Sequence, residues 1–93
     1  MTVDTTFVAI GGTIVHLPSV VAVGDARSCG TFGVYLESGT MLTLRVVTDP
    51  RWTESPERLE AAEQARHWFV LLWVACRAEG NAEPIVVYEG TVR

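Results

Sequence analysis

Residues 68–76, WFVLLWVAC, are nine consecutive apolar positions containing two of the three tryptophans in the chain. The stretch sits inside a helical pattern. Ser55 is a suitable N-cap, Pro56 suits the first helical position, and Glu57 and Glu60 complement the positive helix start. Gly80-Asn81 supplies the stop, so the pattern predicts a helix over about 56–78. Within it Leu59, Ala62, Ala65, Phe69, Leu72 and Cys76 recur at spacings of three and four and define a core-facing stripe. In the first turns Glu57, Arg58, Glu60, Glu63, Gln64 and Arg66 point away from that stripe. From Trp68 the opposite face is apolar too: Trp68, Leu71 and Ala75 form a second stripe, and Val70, Trp73 and Val74 a third.

A helix that is apolar all round must be covered on more than one side. A membrane span needs roughly 20 apolar residues, and here Arg66 and Arg77 bracket nine. A chain of 93 residues has little material with which to wrap a helix completely. Three covers remain: a strongly curled sheet or last strand, a second copy of the chain, or a different partner. Self-association is the leading expectation, with Trp68, Leu71, Trp73, Val70 and Val74 as the interface of a homodimer.

The other elements read as strands. In TFVAI (6–10) and TIVHL (13–17), Gly11-Gly12 fits a type I′ turn. The register then sets Ile10 opposite Thr13, Val8 opposite Val15 and Phe7 opposite His16. Pro18 breaks the second strand, and SVVAV (19–23) resumes it. GDARSCGT (24–31) reads as a loop by composition. FGVYLE (32–37) and TMLTLRVV (40–47) form a second hairpin around Glu37-Ser38-Gly39. With Gly39 left-handed, Leu36 faces Thr40, Val34 faces Leu42 and Phe32 faces Leu44 on one apolar face. Tyr35, Met41, Thr43 and Arg45 face the other way. IVVYEGTV (85–92) is a last strand, to be paired within the chain or with a neighbour. The expectation is one α+β domain over 1–93: a curled antiparallel sheet of about five to six strands packed against one long helix, with a C-terminal strand.

The segment FVAIGGTIVHLPSVVAVG, followed by FGVYLESGTMLTLRV and a helix, resembles the layout of small bacterial curled-sheet proteins, including the FlbD-like flagellar small proteins. The likeness spans about residues 7–75 and consists of apolar positions and turn glycines. The longer tryptophan-rich helix and the last strand depart from it. The resemblance implies a binding or assembly module rather than an enzyme.

The residues themselves carry no legible chemistry. His16 and His67 lack His-x₃-His spacing, and Cys29 and Cys76 form neither a Cys-x₂-Cys pair nor a disulfide framework. Cys29 lies in a loop near Asp25 and Arg27 but lacks a base for nucleophilic work. Glu57, Glu60 and Glu63 suit the helix dipole and solubility, and no phosphate-cradling glycine loop is present. No catalytic residue, cofactor or metal is expected.

The net charge of −4 works against non-specific nucleic-acid binding. All seven bases are arginine, which reflects either codon usage or a need for planar donors at an interface. Arg45, Arg51 and Arg66 are the candidates for any nucleic-acid contact, interspersed with Asp49, Glu54, Glu57 and Glu63. MTVDTTFVAI lacks the basic start and long apolar run of a leader, so a reducing cytoplasm is the expected compartment. The function expected is a small non-enzymatic interaction or assembly module. The alternatives are an inhibitor or regulator of another macromolecule, of the phage or mobile-element accessory kind, and a nucleic-acid-binding regulator.

Overall fold

The computed structural model describes residues 7–47, 49, 51, 53–79 and 85–88, with the backbone alone for 77–79. Strands β1 (Phe7–Ile10) and β2 (Thr13–His16) form the first hairpin. A single 3₁₀ turn at Leu17–Ser19 holds Pro18 where its missing N–H costs nothing, and β3 (Val20–Arg27) follows. Next come β4 (Thr31–Leu36), β5 (Met41–Arg45), helix α1 (Pro56–Glu79) and β6 (Ile85–Val87). The fold is α+β, with six strands in two three-stranded sheets and one helix among the described residues.

Both hairpin registers follow the turn chemistry. Ile10 faces Thr13, Val8 faces Val15 and Phe7 faces His16, with Gly11 and Gly12 at φ 54° and 85°. Gly11 has a second reason to lack a side chain: a Cβ there would collide with the carbonyl oxygen of Arg45. The first turn thus seats against the end of β5 and joins the two sheets. In the second hairpin Phe32 faces Leu44 and Val34 faces Leu42. The Leu36 N–H donates to the Thr40 carbonyl at 2.9 Å, and Gly39 adopts φ 88°.

Three expectations are corrected. Residues 24–27 are strand, not loop: Ala26 pairs with Phe32 and Arg27 with Thr31. Two register shifts, between Val20 and Ala22 and between Val23 and Ala26, bend β3. The single antiparallel sheet is replaced by two sheets, ordered β2-β1-β6 and β3-β4-β5. Finally, β6 pairs with β1 in parallel, Val8 opposite Val86, because the chain returns to β1 after the helix running in the same direction. The expected strand residues 89–92 and Thr6 lie outside the described residues, as does Trp52.

One core joins both sheets and the helix. Val8, Ile10 and Val15 from the first sheet meet Val20, Phe32, Val34 and Leu44 from the second, with Ala65 and Phe69 from the helix. Phe69 is completely buried and lies edge-on to Phe32, ring centroids 5.7 Å apart. The core stripe holds in its centre: Ala62, Ala65 and Phe69 are buried, while Leu59, Leu72 and Cys76 at its ends are half-buried. Ser55 caps the helix, its Oγ accepting from the Arg58 N–H at 3.1 Å.

Candidate interaction site

The second half of α1 carries the apolar residues singled out in the sequence, and the fold divides them into two groups. Trp68 and Trp73 find partners within the chain. The Trp68 ring packs on Tyr88 just beyond β6, centroids 4.9 Å apart, and the Trp73 indole N–H donates to the Val20 carbonyl at 3.2 Å. Both are half-buried and pack against the core together with Leu72, Cys76 and Tyr88.

Leu71 and Val74 form the second group. They lie three positions apart on one helix face, 58% and 55% exposed. His67 precedes them and Ala75 follows on the same side, both exposed, while Val70 flanks the ridge half-buried. No charged residue interrupts the helix from Trp68 to Cys76, so this ridge is apolar surface facing solvent. The same face is polar one and two turns earlier, at Glu60, Glu63 and Gln64, which are exposed.

The indole contacts escape a reading by helical periodicity because both partners are distant in sequence. One signal was available: the N–H of a covered tryptophan needs an acceptor, which favours an inward Trp73 beside a backbone carbonyl.

The three arginine candidates do not form one basic surface. Arg45 donates through Nη2 to the Asp49 carbonyl at 2.8 Å. Arg51 makes a bidentate pair with the Asp49 carboxylate, its Nη2 at 2.8 Å from Oδ2, and Arg58 reaches the same oxygen at 2.9 Å. These bonds, from the Arg51 side chain first and its backbone N–H next, hold the Asp49 carboxyl well below the usual carboxylate range; attraction to Arg51 and Arg58 adds to this. The same pairing raises the Arg51 guanidinium above its ordinary value. Arg66 is separate. Eight residues beyond Arg58, it is about 12 Å further along the helix, and its Nε donates to the Gly24 carbonyl at 2.6 Å. There it lines an open cleft of about 500 Å³ with Asp25, Ala26, Glu63 and His67. Two acids share that cleft, whereas Arg45, Arg51 and Arg58 converge on the single carboxylate residue Asp49.

The remaining chemistry-bearing side chains are structural in their contacts. His16 Nδ1 shares a hydrogen bond with Ser19 Oγ at 2.7 Å, and its ring lies against Phe7, centroids 5.2 Å apart. The Cys29 sulfur shares a 3.2 Å hydrogen bond with Thr31 Oγ1. Among the described residues, no group of three or more His, Cys, Asp or Glu side chains could hold a metal, and no helix is long and apolar enough to cross a membrane. No protein family, curated protein or solved structure matches the chain.

Proposed function

We propose that this chain is a small non-enzymatic assembly module that self-associates through the outward ridge of its helix. One observation carries the reading: Leu71 and Val74 stand more than half exposed on a helix segment with no polar face. Exposed contiguous apolar surface on a small protein marks an interaction site more often than an accident of composition. Trp68, Val70 and Trp73 flank that ridge and give it a rigid base, since the two indoles are already fixed by Tyr88 and Val20. The sequence resemblance to small bacterial curled-sheet proteins, including the FlbD-like flagellar small proteins, points the same way by analogy. Arg51 and Arg58 are paired with Asp49 and Arg66 is held by the Gly24 carbonyl, which gives the nucleic-acid reading less support than the ridge gives self-association.

Light scattering over a concentration series tests the proposal. The average mass should rise above the 10.2 kDa of one chain as concentration increases. Leu71→Glu with Val74→Glu should lower that mass while the far-ultraviolet circular dichroism stays unchanged, because both side chains already face solvent. A wild-type chain that stays at 10.2 kDa throughout sinks self-association and favours the alternative, an inhibitor or regulator docking the same ridge onto another protein.

A further inference from the structure

The sheet β2-β1-β6 has two apolar faces, and only one is covered. Val8, Ile10 and Val15 point into the core. The register places the alternate residues together on the outer face: His16, Phe7 and Ile85 in one row, and Ile14, Ala9 and Val87 in the next. Of these, Ile14 is 65% exposed, Ile85 and Val87 are each 59% exposed, and Phe7 is 37% exposed. Antiparallel sheets with one wet face normally alternate apolar and polar residues, whereas strands apolar on both sides belong to sheets covered on both sides. FVAI and IVV do not alternate.

We propose that this outer face is a second interface, on which a second copy of the chain packs sheet against sheet about a two-fold axis near Ala9 of the central strand.

Charge selects the occupant. The chain carries eleven acids against seven bases, so most approaches between two copies bring like charges together. Among the described residues this face holds no acid and no arginine, and is therefore a place where two copies meet without that repulsion. A two-fold contact needs a surface complementary to itself, which a neutral pleated apolar face is and a charged one is not. A strongly acidic or basic partner would find nothing there to pair with. Area sets the strength. Four side chains at these exposures present roughly 300–400 Å², the size at which a patch on a small protein is commonly functional. A stable interface uses about 800 Å² per partner. The contact thus needs its polar rim and should dissociate on dilution. It is independent of the helix ridge, since the core lies between this face and α1.

Crosslinking and mass together test the proposal. In a Cys29→Ser, Cys76→Ser background, Ala9→Cys places a thiol at the centre of the face and Ser38→Cys places a control thiol in the exposed β4–β5 turn. A bis-maleimide spanning about 10 Å, the separation of packed sheets, should join Ala9→Cys chains into covalent dimers at least tenfold faster than Ser38→Cys chains. Adding Leu71→Glu and Val74→Glu should leave that ratio unchanged, so failure of the helix-ridge reading is visible separately. Ile14→Lys with Val87→Lys should abolish the preference and lower the average mass. Equal crosslinking rates at the two positions would overturn the proposal, whether or not the lysine variant folds.

Discussion

The indole Nε1 of Trp73 donates to the carbonyl oxygen of Val20, 3.2 Å away and 53 positions earlier in the chain. The bond pins the last turns of the helix to the first residue of β3, where the 3₁₀ turn hands over to strand. Trp73→Phe keeps the ring and removes the donor. A net hydrogen bond is worth about 1 kcal/mol, and the smaller ring loses further packing, so a destabilisation of about 1–2 kcal/mol is expected. Urea denaturation should show a lower midpoint at unchanged slope.

Gly11 is constrained twice, by its positive φ and by the Arg45 carbonyl where a Cβ would stand. Gly12 has the positive φ but open space around it. Gly11→Ala should therefore cost clearly more than Gly12→Ala, by about 1–3 kcal/mol, since strain at φ is common to both and the backbone collision is not. Equal urea midpoints for the two variants would contradict the seating of the first turn on β5.

The Asp49 carboxyl is held below its ordinary range by Arg51 and Arg58, and this carries a definite sign in pH. An unfolded aspartate titrates near about 3.9. The group's folded value lies lower, so its stabilisation is fully present above that pH and is lost as pH falls through the folded value. Wild-type stability should decline more steeply with acidification between about pH 4 and pH 2 than that of Asp49→Asn, which has no such charge to lose. Carboxyl nuclear magnetic resonance should find Asp49 still ionised at a pH where an ordinary aspartate is mostly protonated.

The hairpins were legible because local chemistry sets their geometry. Gly11-Gly12 and Glu37-Ser38-Gly39 fix turn type, and turn type fixes register, so the cross-strand partners of Val8 and Val34 follow from the sequence. The helix and its core stripe were legible for the same reason. The length of β3 was not, since Gly24, Asp25 and Arg27 have loop composition. They are strand because Ala26 and Arg27 pair with Phe32 and Thr31, and two register shifts accommodate the bend. Long-range placement was also hidden: nothing near Ile85 specifies a parallel seat beside β1, and nothing near Trp68 announces Tyr88. The apolar stretch was legible as a whole, but its division was not: Trp68 and Trp73 are braced by partners distant in sequence, while Leu71 and Val74 stand exposed.

The parallel pairing of β6 with β1 also has a consequence for how the chain is made. An isolated two-stranded hairpin is marginal in water, and the neighbour of β1 on its other edge lies some 75 residues further along the chain. At about 5–20 residues per second, β1 and β2 wait roughly 4–15 seconds for that strand to be synthesised. Until then Val8, Ile10 and Val15 have no finished core to enter. Such a topology favours late, all-or-none folding over growth from the first hairpin.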